Sequence, residues 1–405
     1  MTSLWLATSP PLAQLGFPFA PDMCYDTVVV GAGLTGVTTA LLLARAGQRV
    51  VLLEAETPGV AATGNATGKL GFFQGAALSR IRRHQGDAWL RARVTVEREA
   101  QAWLLNLLSS EGIDHQIRSS ITYAVSSDGW RTLLGEFAAA RVAGVDAEWV
   151  TDTGLPFAVL GAIEVSGQAQ FHPMQLLTSM LNTFAAHGGV LHTACRVESV
   201  SAGRPCTVAT SLGTIHADHV VVATGTPPLG RRGRCGSLTT VRSYAIAFRA
   251  AGAVPQGMYL SVDDPVRSLR TAPSPHGEVM VVGGHSQVVG RDDPEAARVD
   301  LEQWTRRTFP GAQLTHAWSL QEFRSASSLP YVGSLAGSGG TVLVATGYDK
   351  WGSTNGVAAA LRMAGEIVGA RPAWAEPVRS SATVARLTNA LVFGEVRAGA
   401  PPSQG

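Results

Sequence analysis

Lysine is nearly absent from this sequence, which has two lysines and thirty arginines among its 405 residues. The arginines form no long basic block, and the densest cluster is the RRGR segment at 231–234. The formal net charge is only +2. This balance argues against a nucleic-acid-binding protein, and the RRGR segment is interpreted as a solvated loop.

Cysteine is also scarce, and the spacing of the four cysteines argues against a metal site. The four cysteines form no C-x-x-C pair, and no metal site is predicted. The N-terminus lacks a basic region, and Pro10 and Pro11 break its apolar run, which argues against a signal peptide. No apolar run reaches the ~18 residues of a membrane span, so we expect a soluble, cytoplasmic protein.

Glycine is abundant, and its first cluster follows a dinucleotide-binding pattern. An apolar run over 27–30 predicts a buried parallel strand, and Gly31, Gly33 and Gly36 follow it in G-x-G-x-x-G spacing. The first glycine allows a tight turn. The second lets backbone amides approach a pyrophosphate, and the third lets a helix pack closely on the strand.

The segment after these glycines completes the unit. A helical pattern over 37–46 leads to a second buried strand over 49–53, which ends at Glu54. A carboxylate in this place can accept hydrogen bonds from the ribose hydroxyls of adenosine. Strand, glycine loop, helix, strand and acid in this order predict a dinucleotide-binding α/β unit.

Three later regions favour FAD over NAD. Segment 55–71 is rich in Gly, Ala, Thr and Asn, which suits a loop lying over a pyrophosphate and the edge of an isoalloxazine ring. Strands over 219–223 and 341–345 each lead into a Thr-Gly pair. Because ligands bind outside the carboxyl ends of strands in open α/β sheets, the three strand ends predict one long ligand.

The last strand leads through a loop to a helix predicted over 355–368. We expect Ser353 or Thr354 to cap this helix. Its positive N-terminus would stabilise the negative charge that develops at N1 and O2 of a reduced flavin.

These segments resemble the FAD-dependent D-amino-acid oxidase-like oxidoreductases, the family of the glycine and sarcosine oxidases. The resemblance covers about residues 3–379 and rests on YDTVVVGAGLTGVTTALLLARAG, ATGNATGKL, FHPMQLL, SLPYVG and VATGYDKWGSTNG. It implies an α/β fold in which a Rossmann-like FAD-binding domain is interleaved with an antiparallel-sheet α+β substrate domain. The implied ranges are 22–85, 172–228 and 330–378 for the FAD-binding domain, 86–171 and 229–329 for the substrate domain, and 379–405 for a C-terminal tail.

The similarity is greatest to a bacterial subgroup that often carries a C-terminal Rieske domain. The sequence contains no C-x-H…C-x-x-H set, so we expect no attached electron relay. No cysteine lies in a recognised flavin-attachment motif, and non-covalent FAD is expected.

The candidate FAD-binding residues include positions in the matching motifs and others outside them. They are Gly31, Gly33, Leu34, Thr35, Gly36, Glu54, Ala55, Thr63, Gly64, Asn65, Thr67, Gly68, Lys69, Leu70, Arg196, Val197, Ala223, Thr224, Gly225, Gly347, Lys350, Trp351, Gly352, Ser353 and Thr354.

Both lysines fall in these glycine-rich loops. In a chain so biased to arginine, a lysine is expected where a compact ammonium on a flexible stem is needed. We hypothesise that Lys69 or Lys350 lies near the flavin and stabilises the superoxide-like state formed during reoxidation by oxygen. The alternative is that both stems pack in their loops with the ammonium groups in solvent.

The expected chemistry is oxidation of a C–N bond of an amine or amino acid by hydride transfer to flavin N5, with reoxidation by O2. This reaction needs an oriented substrate with a neutral amine and no obligatory side-chain base. An arginine commonly clamps the substrate carboxylate in such enzymes. The candidates are Arg324 first, with Arg270 and Tyr259, and then Arg242, Arg267, Tyr244 and His285.

Each of these candidates also has a structural interpretation. Arg267 could form a surface salt bridge with Asp263 or Asp264, and His285 could be a hydrogen-bonded histidine of the substrate domain. Three other functions stay open: a dehydrogenase that passes electrons to an external acceptor, a biosynthetic tailoring oxidase, and a non-catalytic flavin subunit.

Overall fold

The structure is a computed structural model that describes residues 2–9, 18–73, 75–225, 238–273, 278–291, 293–325 and 328–372. The RRGR cluster and the C-terminal tail lie outside these residues.

Helices and strands are numbered here in chain order. The helices are α1 (Leu4–Thr8), α2 (Leu34–Arg45), α3 (Ala77–Gln85), α4 (Asp87–Ser110), α5 (Ser127–Val142), α6 (Pro173–Ala186), α7 (Pro294–Thr308) and α8 (Gly352–Val368). The strands are β1 (Cys24–Val30), β2 (Val50–Leu53), β3 (Lys69–Leu70), β4 (His115–Ala124), β5 (Glu148–Val150), β6 (Gly161–Phe171), β7 (Val190–His192), β8 (Val197–Ser201), β9 (Cys206–Thr210), β10 (Gly213–Val222), β11 (Leu238–Arg249), β12 (Met258–Ser261), β13 (Arg267–Ala272), β14 (Val279–Val288), β15 (Gln313–Ser325), β16 (Tyr331–Ser334) and β17 (Val342–Thr346).

The elements form two compact units, each made of three separate chain segments. The α/β unit consists of the described residues within Pro10–Thr63, Leu177–Thr239 and Phe323–Gly405. The mixed-sheet unit consists of the described residues within Met1–Ser9, Gly64–Leu176 and Thr240–Glu322. The predicted division into FAD-binding and substrate domains stays a prediction at the level of its boundaries.

The α/β unit is built on a sheet with strand order β16–β17–β10–β1–β2–β7. The strands from β17 to β7 are parallel, and β16 is antiparallel to β17. Val28 and Val30 pack on one face, in a cluster with Val208 from β9. Val29 faces α2, with Cγ1 3.5 Å from a Cβ built on Gly36. Covered faces on both sides explain why these strands are continuous apolar runs.

The register of this sheet brings three strand ends together. Val30 of β1 is paired with Val222 of β10, and Val222 is paired with Val344 of β17. The glycine-rich segments that follow β1, β10 and β17 therefore leave the same edge of the sheet, as the sequence predicts for a long ligand.

The mixed-sheet unit has strand order β15–β11–β14–β13–β12–β4–β6–β3, with β5 paired to β6. Most pairs are antiparallel, but β12 and β4 are parallel. One apolar cluster joins β11, β13 and β14 to Leu301 of α7, and another joins β6 to α3, α4 and α5. The middle of this sheet is buried on both faces, since Ala245 and Ala247 of β11 and Val281 of β14, which lie between the members of the first cluster, are also buried.

The structure corrects the start of the last helix. It begins at Gly352, not near residue 355, with Trp351 as the N-cap and no side-chain cap hydrogen bond. Ser353 and Thr354 therefore lie inside the first turn and do not cap the helix. Among the described residues, no helix has the length and apolar character needed to cross a membrane.

Candidate FAD-binding site

Gly31 makes the turn at the end of β1. Its φ is +99°, a conformation that favours glycine, and its N–H donates to the carbonyl of Leu53 at 2.8 Å. A Cβ at this position would lie 2.8 Å from the carbonyl oxygen of Ala223, the residue after β10. The turn thus brings the ends of β1, β2 and β10 together, and a side chain would separate them.

Gly36 lets α2 approach this turn. A Cβ on Gly36 would lie 1.8 Å from the carbonyl oxygen of Gly31, which is impossible without moving the helix. Gly33 is the N-cap of α2. A Cβ added to Gly33 would meet Oγ1 of Thr63 at 3.4 Å and no other described atom within 4 Å, apart from its chain neighbours. Space beside Gly33 is therefore open for a ligand.

Glu54 is held at the end of β2 by two backbone donors. Its Oε2 accepts from the N–H of Ala32 at 2.8 Å, and its Oε1 accepts from the N–H of Glu56 at 3.0 Å. An ionised carboxylate has about four acceptor sites, so lone pairs stay available for ribose hydroxyls. The role of Ala32 was not predicted, because a backbone donor leaves no signal in residue type.

The N-terminus of α2 presents unpaired donors. The N–H of Leu34 donates to Oγ1 of Thr63 at 2.9 Å. Within the described part of the chain, the N–H groups of Gly33, Thr35 and Gly36 donate to no protein acceptor. Unpaired N–H groups and the positive end of the helix dipole together suit a pyrophosphate.

Tyr348 connects this helix to the last glycine-rich loop. Its hydroxyl lies 3.0 Å from the hydroxyl of Thr35, and its carbonyl accepts from Nδ2 of Asn355 at 3.3 Å. Burial raises the pKa of Tyr348, so the phenol stays neutral at physiological pH. A Cβ on Gly356 of α8 would lie 2.7 Å from Oγ1 of Thr35, so the first turns of α2 and α8 lie in close contact.

The loop between β17 and α8 has an unusual backbone. Asp349 and Lys350, both non-glycine residues, have φ values of 43° and 72°. Asp349 is buried and accepts from Nε of Arg324 at 2.8 Å, and its N–H donates to the carbonyl of Phe323 at 3.2 Å. Backbone strain of this kind is commonly held at functional sites by its surroundings.

Orphaned polar atoms show that this edge of the unit fits a polar ligand. Oδ1 of Asn355 and Nε1 of Trp351 are buried and have no hydrogen-bond partner among the described residues. The N–H groups of Gly352 and Ser353 donate to no described residue. FAD offers hydroxyl, phosphate and ring-carbonyl groups that can pair with such atoms, so the residues present fit this cofactor.

Other predicted residues of the α/β unit contact the protein itself. Val197 is 8% exposed and packs in the apolar cluster of the sheet, and the exposed Arg196 lies 3.8 Å from Glu56. Oγ1 of Thr346 donates to the carbonyl of Gly225. Lys350 is exposed. The roles predicted for Ala55, Ala223, Thr224 and Gly347 stay predictions.

In the mixed-sheet unit, Lys69 is buried, with 7% exposure. Its Nζ donates to the carbonyl of Tyr259 and to Oγ of Ser268, both at 2.9 Å. The alternative that both ammonium groups lie in solvent is therefore wrong for Lys69. The hydroxyl of Tyr259 donates to the carbonyl of Thr153 at 2.7 Å, so this hydroxyl is engaged within the core.

Arg270 is also buried, with 1% exposure. Its Nη1 donates to the carbonyls of Thr67 at 2.7 Å and Gly68 at 2.6 Å, within the predicted flavin loop. Burial lowers its pKa to about 9, so the guanidinium is charged at pH 7. Nη1 of Arg270 therefore binds the protein itself, and its role as a substrate clamp stays a prediction.

The polar candidates near the end of β14 form their own network. Asp300 of α7 accepts from Nε2 of His285 at 2.6 Å and from Nη2 of Arg267. The predicted partners of Arg267, Asp263 and Asp264, are therefore wrong. His285 is hydrogen-bonded to Asp300, as its structural interpretation predicts.

The family of this chain follows from comparison with known proteins. Residues 26–365 match the DAO family, described as FAD dependent oxidoreductase. The chain belongs to this family of oxidoreductases, and its cofactor is FAD.

Individual relatives agree with this assignment. One, from Bacillus subtilis (strain 168), is named as the Rieske 2Fe-2S iron-sulfur protein YhfW; it is 26% identical over 340 residues, covering 83% of this chain and 67% of YhfW. Glycine oxidase from Geobacillus kaustophilus has a TM-score of 0.72 at 22% identity, covering 87% of this chain and 96% of that enzyme. A mutant of NikD, an unusual amino acid oxidase essential for nikkomycin biosynthesis, has a TM-score of 0.73 at 18% identity, covering 95% of this chain and 100% of NikD. The likenesses to glycine oxidase and to NikD confirm the predicted interleaved fold.

Proposed function

We propose that this protein uses FAD to oxidise a C–N bond of a small amino acid or amine, with O2 as the electron acceptor. The proposal that the protein binds FAD here rests on the contact between the first turns of α2 and α8. There, Gly356 and the hydroxyl of Tyr348 both lie against Thr35. Two helix N-termini with unpaired N–H groups suit the two negative regions of a bound FAD, its pyrophosphate and its ring carbonyls.

The residues of the α/β unit divide this binding among themselves. Gly31 and Gly36 let the turn after β1 lie close to Ala223 and to α2. The N–H groups of Gly33 and Thr35 bind the pyrophosphate. Glu54, already positioned by Ala32, accepts from the ribose. Bound FAD supplies the acceptor for a hydride from the carbon next to the substrate nitrogen. The protein then has to orient the substrate and keep water from the reacting atoms.

Arg324 is the residue that we propose for orienting a substrate carboxylate. Its side chain is 41% exposed, and Nε is already held by Asp349 at 2.8 Å. This contact fixes the plane of the guanidinium without neutralising both of its edges, which suits a two-pronged contact with a carboxylate. The glycine oxidase and amino acid oxidase names of the structural neighbours support an amino-acid substrate.

Two alternatives have specific support. The relative YhfW is named as an iron–sulfur protein. This name favours a dehydrogenase that passes its electrons to a separate redox partner. The likeness to NikD favours a tailoring oxidase that acts on a biosynthetic intermediate. A non-catalytic flavin subunit is the least supported of the alternatives, since the strained loop beside Arg324 is a feature of working sites.

The test is an absorbance spectrum of the purified, FAD-loaded protein during anaerobic addition of amino acids and cyclic amines, one at a time. Loss of the flavin band with one class of amine supports the proposal and names the substrate class. Hydrogen peroxide release after air is admitted supports the oxidase. Bleaching without peroxide favours the dehydrogenase, and no bleaching by any amine of a broad panel would contradict amine oxidation.

A further inference from the structure

The segment Gly64–Gly68 of the mixed-sheet unit has an unusual set of hydrogen bonds. Each of its five consecutive carbonyls accepts from a side chain of a distant chain segment. The donors are Ser3 Oγ to Gly64, Trp318 Nε1 to Asn65 at 2.9 Å, Trp5 Nε1 to Ala66 at 2.6 Å, and Arg270 Nη1 to Thr67 at 2.7 Å and Gly68 at 2.6 Å. We call these four side chains the carbonyl clasp.

The clasp is itself tightly built. The guanidinium of Arg270 lies 4.9 Å from the ring centroid of Trp5, a cation–π distance. His172 contacts the same ring edge-on, with centroids 5.0 Å apart, and its Nε2 lies 2.9 Å from Oγ1 of Thr8. Burial lowers the pKa of His172 to about 4, so at neutral pH it adds no second positive charge beside Arg270.

The direction of a carbonyl also sets the direction of the next N–H. A trans peptide group is planar, and its C=O and N–H point to opposite sides. Trp5 holds the carbonyl of Ala66, so the N–H of Thr67 is turned away from Trp5. Arg270 holds the carbonyl of Thr67, so the N–H of Gly68 is turned away from Arg270.

Neither Thr67 nor Gly68 donates its N–H to any residue in the part of the chain that the structure describes. Gly68 is buried, and an unpaired buried N–H is rare in folded proteins unless a ligand accepts from it. A charged donor on the carbonyl side also polarises the peptide group and strengthens the N–H as a donor.

Gly68 is required for this arrangement. Its φ is +68°, and a Cβ would lie 2.5 Å from the carbonyl oxygen of Phe171 and 2.7 Å from Nη1 of Arg270. A glycine here thus lets the guanidinium reach two successive carbonyls.

We infer that Trp5 and Arg270 are positioning residues that aim the N–H groups of Thr67 and Gly68 as a donor pair at a carbonyl oxygen of the flavin ring. This inference rests on the proposed function, because the ligand of the pair is taken to be bound FAD. The N-terminal helix α1, which carries Trp5, thereby takes part in tuning the cofactor. In this role Arg270 acts through the loop.

The test compares Trp5→Phe and Arg270→Lys with the matched control Trp130→Phe. Trp5→Phe keeps an aromatic ring beside Arg270 but removes the indole donor. Arg270→Lys keeps the charge but removes the guanidinium, whose Nη1 donates to both carbonyls. Trp130 packs against Trp149 and Gly161, away from the loop contacts, so its replacement changes a tryptophan without changing the clasp.

Each apoprotein is titrated with FAD, and the carbonyl stretch of the bound flavin is recorded by infrared difference spectroscopy. We expect Trp5→Phe and Arg270→Lys each to raise the Kd for FAD about tenfold, as for the loss of one good hydrogen bond. We also expect both to shift a flavin carbonyl stretch to higher frequency, while Trp130→Phe changes neither quantity.

The outcomes separate the inference from the proposed function. If wild-type apoprotein does not take up FAD, the proposed function and the inference both fail. If the wild type binds FAD and Trp5→Phe and Arg270→Lys keep the wild-type Kd and carbonyl frequency, the inference alone is overturned. If Arg270→Lys does not fold, as judged by circular dichroism, Trp5→Phe decides. If only Arg270→Met and not Arg270→Lys changes the flavin, its charge and not its geometry is what matters, which also overturns the inference.

Discussion

The hydroxyl groups of Thr35 and Tyr348 lie 3.0 Å apart, although 313 positions separate the two residues in the chain. This hydrogen bond joins the glycine loop after β1 to the loop after β17. It holds two helix N-termini side by side, and the pair of termini is the basis of the proposed FAD site.

Tyr348→Phe should weaken FAD binding, because it removes the hydroxyl that positions Thr35. We expect the Kd for FAD to rise about five- to tenfold, the effect of one lost side-chain hydrogen bond. Quenching of FAD fluorescence on titration with apoprotein measures this change. Tyr25→Phe is the control, since it removes a phenol of the same unit that makes no hydrogen bond with a described residue. Equal Kd values for the two variants would contradict a positioning role for Tyr348.

Glu54→Gln should also reduce FAD affinity. The amide keeps one oxygen acceptor but presents an NH2 group to one of the two N–H donors that the carboxylate now accepts from, at 2.8 and 3.0 Å. We expect about a tenfold rise in Kd, which isothermal titration calorimetry can measure. Glu56→Gln, at an exposed position two residues later, should have little effect. A wild-type Kd for Glu54→Gln would remove Glu54 from the site.

Gly36→Ala and Gly47→Ala should separate close packing from backbone conformation. The Cβ added by Gly36→Ala would lie 1.8 Å from the carbonyl oxygen of Gly31, so we expect a loss of several kcal/mol in the free energy of unfolding, together with loss of FAD. Gly47 has φ of +84° and no atom within 4 Å of an added Cβ, so its replacement should cost only about 1 kcal/mol. Urea unfolding of the apoproteins measures both.

Glu136 should make stability depend on pH. Burial raises its pKa to about 7, while its two oxygens accept from the N–H groups of Leu78 and Ser79 at the start of α3. Between about pH 4.5 and 7 the folded protein therefore binds more protons than the unfolded chain, and the free energy of unfolding falls as the pH rises.

Relative to Glu136→Gln, wild type should lose at most about 3 kcal/mol of stability between pH 5 and pH 8. Urea unfolding at four pH values in this range measures the difference. The pKa of Glu97, which burial also raises to about 7, affects both proteins and cancels in the comparison. A difference between wild type and variant that does not change with pH would show that Glu136 is ionised in the folded protein.

The two lysines should differ in their effect on oxygen chemistry. Lys69 is 7% exposed, and Lys350 is exposed. A buried ammonium keeps its field, whereas solvent and salt screen an exposed one. We expect Lys69→Met to slow reoxidation of reduced flavin by O2 about a hundredfold and Lys350→Met to slow it less than about threefold. Stopped-flow absorbance measures both rates. The reverse order would assign the oxygen-activating role to Lys350.

Much of the fold could be predicted because local pattern and position agree. The apolar run ending at Val30, the spacing of the next three glycines and the acid at position 54 each have one physical explanation, and the structure gives them adjacent strands and a helix. The start of α8 could not be predicted. Ser353 and Thr354 are good capping residues, but the positive φ angles of Asp349 and Lys350 begin the helix earlier, at Gly352.

The sequence by itself determined the class of cofactor and the strands that carry it, because glycine spacing and apolar runs act locally. Only the tertiary structure decided which side chains meet. The pairing of Thr35 with Tyr348, and the reach of Trp5 and Arg270 to the carbonyls of the flavin loop, depend on segments far apart in the chain. Trp5 and Arg270 donate to backbone carbonyls, and Tyr348 pairs with another hydroxyl. Because every residue has a backbone carbonyl, no pattern in the sequence identifies these contacts before the chain is folded.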